Sequence, residues 1–212
     1  LWNDMFEKAP TDWSWQDGQF GMNVRWACEP GWNFMAGKAV NLASMHSKAA
    51  YHGDQVLDVF MSFAATLPKQ ERYYIRRDLC LSFCTDGQNL DSGYSVIFGG
   101  ENNTKTMLLK RGKIVAATNN PRFLVSTSSN ILHELHWRWW NFEIYKAEGR
   151  LTVLLNGEIL FDVDDPNPIE GGHLAFWSVG NGFVVSRVTV AAESQTMKPA
   201  RSRFDWQSDA AD

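Results

Sequence analysis

The segment Arg150-Leu-Thr-Val-Leu-Leu-Asn156-Gly157-Glu-Ile-Leu-Phe-Asp162 alternates apolar and polar residues on both sides of an Asn-Gly pair. Asn-Gly supplies the two positive-φ residues of a type I′ turn, so the segment predicts a β-hairpin. Leu151, Val153 and Leu155 share one face of the outgoing strand, and Ile159, Phe161 and Val163 share one face of the return strand. An isolated hairpin with one apolar side is not stable in water, so the chain must supply a further layer for it to lie on. The preceding segment Trp139-Trp140-Asn141-Phe142-Glu143-Ile144-Tyr145 is a further strand candidate, and the polar side of the hairpin is free for solvent or ligand.

The same rhythm recurs along the chain. Phe20, Met22, Val24 and Trp26 mark an early strand, and Leu57, Val59, Met61 and Phe63 mark another after a turn expected at His52-Gly53-Asp54. Leu79, Leu81 and Phe83 precede Asp86-Gly87; Tyr94 to Phe98, Thr106 to Lys110, Lys113 to Ala117, His173 to Val179 and Phe183 to Ala191 complete the set. Many short strands with no βαβ alternation predict an all-β fold, an antiparallel two-sheet β-sandwich of the jelly-roll type. Gly37 to Tyr51 fits a short helix or an irregular strand pair equally well, and Pro121 to Asn130 reads as a surface loop. The expected organisation is one sandwich domain over residues 1–192 and an extended tail over residues 193–212. The tail is polar and unpatterned, with Phe204 and Trp206 as isolated aromatics. It reads as a loosely ordered terminus or as an arm docking on this domain or on a protein partner.

At 212 residues and 44% hydrophobic content the chain is long enough for one well-buried core. A net charge of -4 and the lack of a long basic run argue against a nucleic-acid surface. No stretch reaches the roughly 18 apolar residues of a membrane helix, and no charged and apolar leader opens the chain. Its start at Leu1 fits a mature product after signal removal or a piece of a longer protein. Cys28, Cys80 and Cys84 are an odd number of thiols. On a strand, Cys80 and Cys84 would stand about 13 Å apart, too far to bridge each other. Cys28 is available to pair with either, and buried free thiols are the simpler reading because zinc-ligand spacing is lacking.

The order of the Trp-rich strand, the Asn156-Gly157 hairpin, Gly171-Gly172-His173-Leu174-Ala175-Phe176-Trp177 and a final Val/Arg strand resembles the C-terminal half of concanavalin A-like lectin/glucanase sandwiches. Within that superfamily the chain is most similar to bacterial laminin-G-like and 3-keto-disaccharide-hydrolase-like domains, and to an uncharacterised sandwich family found among pectin-degrading proteins. The Asp91-Ser92-Gly93-Tyr94 turn resembles the Asn-Ser-Gly turn of the saccharide-hydrolase-like members, and the likeness spans roughly residues 15 to 192. It implies a concanavalin A-like fold, a polysaccharide or glycan partner, an exported, periplasmic or extracellular location, and the structural calcium common in such sandwiches. The Glu-x-Asp-x-x-Glu strand of the glucanase branch is missing, as are the Arg, Gln-x-His and Tyr motifs of alginate-lyase-like sandwiches.

Alternation places Trp139, Asn141, Glu143 and Tyr145 on the outward side of their strand with Trp140 in the core. The same logic turns His173 and Trp177 outward. Aromatic faces stack on the apolar face of a sugar ring while amides and carboxylates bind its hydroxyls, so these residues are the expected ligand-binding surface. Glu143 among aromatics suits a general acid, against the plainer reading of a carboxylate paired with Arg138, Arg150 or Lys146. His136, beside His133 and Glu134, offers a base or a metal ligand, or simply a surface loop. Arg76 and Arg77 suit clamping of an acidic sugar, or a surface pair with Asp78. Asp162, Asp164 and Asp165 form an oxygen-rich turn that suits calcium, or an ordinary solvated turn. Three functions follow: a carbohydrate-recognition domain, a glycoside hydrolase or polysaccharide lyase on the same surface, and a structural or interaction subunit docking through the tail.

Overall fold

The computed structural model describes residues 1–4, 12–17, 19–23, 34–38, 41–63, 78–125, 139–180, 182–197 and 204–205. Among the described residues the fold is built of antiparallel strands: β1 (Trp2–Asp4), β2 (Trp13–Asp17), β3 (Gln19–Asn23), β4 (Phe34–Lys38), β5 (Leu42–Phe63), β6 (Leu79–Thr85), β7 (Tyr94–Gly99), β8 (Lys105–Lys110), β9 (Lys113–Thr118), β10 (Trp140–Ala147), β11 (Arg150–Leu155), β12 (Glu158–Asp164), β13 (Gly171–Val179), β14 (Gly182–Met197) and β15 (Phe204–Asp205).

The 22 residues of β5 organise the rest. One of its edges is filled first by β13, from Leu42 to His52, and then by β10, from Gln55 to Met61. The other edge is filled by β2, from Ser44 to Ser47, and by β14, from Ala49 to Phe63. The β13 branch continues through β6, β7, β8 and β9, and the β10 branch through β11 and β12. Phe98 of β7 meets Trp140 and Phe142 of β10 at ring-centroid distances of 5.4 and 5.9 Å. The two branches are therefore facing layers with a shared core, the jelly-roll sandwich expected from the strand pattern.

The described residues of the segment Gly37 to Tyr51 form the end of β4 and the first half of β5, and residues 39–40 lie outside them. The turn expected at His52-Gly53-Asp54 does not reverse the chain; β5 continues through it, with Gly53 at φ 74° and a shift of register against β14. Its turn-like composition marks a joint, where the strand exchanges β13 for β10 as partner. Gly53 donates its N–H to the Glu170 carbonyl at 3.0 Å, and its own carbonyl accepts from the Lys146 ammonium at 2.6 Å. Lys146 faces inward and is buried, and Gln55 donates to the Tyr51 carbonyl at 2.8 Å, so the joint keeps its backbone groups paired.

Parity along β5 is unbroken. Ala43, Met45, Ala49, Tyr51, Leu57, Val59, Met61 and Phe63 all enter the core, and the even positions of both halves point away from it. The hairpin forms as predicted, with Asn156 at φ 52° and Gly157 at φ 78°. One strand of it departs from the alternation. A bulge between Val153 and Leu154 places an extra residue in β12, so Leu160 and Phe161 are both buried while Ile159 is 60% exposed. Gly172 lies where β13 crosses β6 closely: a Cβ there would stand 2.2 Å from the Thr85 carbonyl oxygen. Cys80 and Cys84 are buried free thiols, and Cys28 lies outside the described residues. At the C-terminus β14 continues to Met197, and the backbone of Phe204 and Asp205 pairs with Trp15 and Ser14 of this same chain.

Candidate functional site

β10 alternates strictly: Trp140, Phe142, Ile144 and Lys146 are buried, while Asn141, Glu143 and Tyr145 stand on the outer face. Register then sets their neighbours. Glu143 lies between Leu154 of β11 and Asp58 of β5; Asn141 lies beside Phe60; Tyr145 lies between Thr152 and Val56. On the next strand, Arg187 pairs with Phe60 and Thr189 with Asp58. Five polar side chains and two rings from three adjacent strands thus share one open surface.

Asp58 is the hub of this surface. Its carboxylate accepts from the Asn141 amide at 2.5 Å and from the Arg187 guanidinium at 2.9 Å. The guanidinium also lies over the Phe60 ring, 4.3 Å from its centroid. Beside this group the Tyr145 hydroxyl donates to Glu143 at 3.1 Å, and that bond to a carboxylate holds the phenol above its usual pKa. The Asn156 turn steadies the arrangement from one side: its side chain accepts from the Asn141 N–H at 2.9 Å and its N–H donates to the Asn141 carbonyl at 2.8 Å. Each polar group is thereby held in place while Tyr145 remains 40% exposed, and Ile159 and Leu154 extend the surface with apolar area.

Asp58, Phe60 and Arg187 escape sequence reading because no local motif marks them. The signal available was a charge at the outward position of an apolar strand, in Leu57-Asp58-Val59 and Ser186-Arg187-Val188. Of the partners expected for Glu143, Arg138 lies outside the described residues, Arg150 instead pairs with Asp162 at 2.6 and 2.5 Å, and Lys146 is inside the joint; among the described residues Tyr145 is the hydrogen-bond partner of Glu143.

His173 and Trp177 do not join this surface. They lie on β13, where Leu174 and Phe176 enter the core, and the facing-layer geometry sends their outward neighbours to the opposite side of the molecule. Trp177 is half-buried and donates from its indole nitrogen to Ser82 at 2.8 Å. His173 is buried, with Nδ1 donating to the Ser47 carbonyl at 2.8 Å. Trp139, just before β10, is half-buried. His136, Arg76 and Arg77 lie outside the described residues.

The three carboxylates of the candidate calcium turn diverge. Asp162 is taken by Arg150 and Thr152, the exposed Asp164 lies 3.9 Å from the same Arg150 guanidinium, and Asp165 is buried against Tyr94 and Lys110, the ammonium at 2.5 Å. Burial alone would raise the Asp165 pKa, but the bonds from Lys110 and Tyr94 outweigh it and hold the carboxyl below its usual range. Among the described residues no three His, Cys, Asp or Glu side chains converge as a metal site. The calcium expected from Asp162, Asp164 and Asp165 is therefore not supported by their geometry, because Asp162 and Asp164 both face the Arg150 guanidinium while Asp165 is turned inward to Lys110 and Tyr94.

Comparison with solved structures places the fold. The chain is similar to a carbohydrate binding module, CBM66, from Bacillus subtilis, with a TM-score of 0.60 and 13% identity over 86% of this chain and 96% of that one. It is similar to the VIP36 exoplasmic/lumenal domain in its Ca2+/Man-bound form, with a TM-score of 0.55 and 10% identity over 92% and 86%. It is also similar to the Bacillus licheniformis beta-glucanase, with a TM-score of 0.52 and 12% identity over 91% and 98%. These likenesses show the fold, a jelly-roll sandwich of the kind the strand order implied. A comparison with curated proteins finds no match. A family profile described as a domain of unknown function, DUF6250, matches residues 35–188, most of the chain, and the protein belongs to that family.

Proposed function

We propose that the protein is a glycan-recognition domain whose binding surface is the outer face of β10, β5 and β14. The observation that carries this reading is the Asp58 hub, which fixes Asn141 and Arg187 beside the Glu143–Tyr145 pair. Held amide, guanidinium and carboxylate groups beside an exposed ring suit hydroxyls and the apolar face of a sugar, with little ordering cost on binding. Similarity to a carbohydrate binding module and to a mannose-bound lumenal domain supports the class of ligand. The reading includes an exported protein, periplasmic or extracellular, where polysaccharides are met. It does not use the tail as a protein-docking arm, since Phe204 and Asp205 pair with β2 of the same chain.

A second reading keeps the surface and adds chemistry. Glu143 and Asp58 lie directly opposite on neighbouring strands. Opposed side chains on paired strands have Cβ atoms about 5 Å apart, and two carboxyls at about 5 Å suit a retaining glycosidase. One experiment separates the two: polysaccharide pulldown and glycan-array binding, with reducing-sugar release and unsaturated-product absorbance followed in the same samples. Binding without product, lost in Tyr145→Ala and Asp58→Ala, supports recognition. Product formation that Glu143→Gln abolishes moves the protein to the hydrolase reading, and binding unaffected by Tyr145→Ala and Asp58→Ala removes this face from both.

A further inference from the structure

The charges of the β10 surface do not balance. Glu143 and Asp58 stand directly opposite on neighbouring strands, where two carboxylates repel each other. Arg187 answers Asp58, at 2.9 Å, and Arg150 is occupied by Asp162 and Asp164. Among the described residues the Glu143 side chain is met by the neutral Tyr145 hydroxyl and by no cation. This corner of the surface is also open: Glu143 is half-buried, and Tyr145 and its strand neighbour Val56 are 40% and 39% exposed. The opposite outer face is closed by comparison, since His46 and Ser14 there are fully buried and the His46 ring nitrogens have no hydrogen-bond partner.

From this we infer that the β10 surface takes an amino sugar, with the protonated amine set against Glu143 and the ring on Tyr145. The inference rests on the glycan-recognition reading of the same face and adds the charge of the ligand. A ligand ammonium gives Glu143 what Arg187 gives Asp58, a charge-assisted hydrogen bond, and it relieves the repulsion between the opposed carboxylates. Tyr145 serves both parts of such a ligand. Its hydroxyl is tied to Glu143, so the exposed ring stays beside the carboxylate, where its face stacks on the apolar side of a pyranose and attracts the same cation. A uronate would bring a further carboxylate to Glu143 and Asp58, and with Arg150 and Arg187 already paired it would have to displace an aspartate to find a partner. An N-acetylated sugar keeps the stacking and brings no charge. The favoured class is therefore a glycan with free amino groups, such as a glucosamine oligomer.

The test is calorimetric titration of the intact chain with glucosamine, N-acetylglucosamine and galacturonate tetramers, in weakly acidic buffer where the sugar amine is protonated, with a lysine oligomer of equal charge as the control. The glucosamine tetramer is expected to bind roughly fivefold more tightly than its acetylated counterpart, the gain of one exposed ion pair, and galacturonate most weakly. Added salt should shrink that advantage. In Glu143→Gln, which keeps an acceptor for Tyr145 and removes only the charge, the ratio of the two affinities should fall to about one whatever their absolute values. Equal binding of the amine and acetylated forms, a preference that survives Glu143→Gln, tighter binding of galacturonate, or a lysine oligomer that binds as well as the sugar overturns the inference and leaves glycan recognition standing. Failure of all three tetramers to bind also overturns it, and only an empty glycan array would remove the underlying reading with it.

Discussion

Acidification tests the environment of His46. Burial, with the neighbouring His173 adding to the effect and Asp86 opposing it, lowers the pKa of this imidazole from 6.5 to about 4. In the unfolded chain the ring protonates near 6.5, while in the folded protein it stays neutral until about pH 4. Between these values the unfolded state binds more protons, so stability rises with pH; the contribution is complete above 6.5 and is lost progressively down to about 4. At about 1.36 kcal/mol per pH unit the full loss is about 3 kcal/mol, with about 1 kcal/mol already gone at pH 5.5. The paired acids Asp86, Asp162 and Asp165 have lowered pKa values and act below 3.8, outside this window. The assay is urea unfolding at half-unit steps from pH 4 to 7.5 for the wild type and His46→Gln. The wild-type midpoint should fall by about 1 M over the range, and the variant should lose most of that slope whatever its absolute stability. Equal slopes in the two proteins, or a directly measured His46 pKa near 6.5, would refute the buried, unpaired imidazole.

Other perturbations give sharper local contrasts. Asp58→Ala frees both Asn141 and Arg187; because the ion pair is about one-third exposed, the stability loss should be only about 1 kcal/mol by chemical denaturation, while glycan binding falls at least tenfold. Gly172→Ala drives a Cβ into the Thr85 carbonyl and should cost about 3 kcal/mol or more, whereas Gly157→Ala, with open space around it and only a positive φ to strain, should cost about 1 kcal/mol in the same assay. Lys146→Met leaves the Gly53 carbonyl without its side-chain donor inside the joint, and a loss of about 2 kcal/mol is expected in the melting curve.

Much of the fold could be read because period-two alternation and turn residues are local properties. The hairpin at Asn156-Gly157 and the outward placement of Asn141, Glu143 and Tyr145 follow from them directly. What escaped depends on distant partners. His52-Gly53-Asp54 has turn chemistry and Gly53 takes a positive φ, yet the neighbours of β5 keep the segment within one strand; Ile159 has core chemistry, yet one bulge turns it to solvent. His173 and Trp177 are outward as alternation implies, but alternation does not say which layer a strand joins, so the sequence alone does not separate them from Glu143 across the sandwich. Asp58, Arg187 and His46 acquire their roles only from register between strands far apart in sequence.

The length of β5 also bears on how the protein is made. Residues 42–63 leave the ribosome well before β10, β13 and β14, which help fill both edges of β5 and lie roughly 80 to 150 residues further on. Such non-local pairing is slow because loop closure must precede any gain from contact. Until then an apolar strand with open edges waits in solution, the condition under which chains aggregate. The same strand that joins the two layers in the finished molecule makes its synthesis dependent on the last third of the chain, and truncation anywhere before β14 leaves β5 as an exposed template for association.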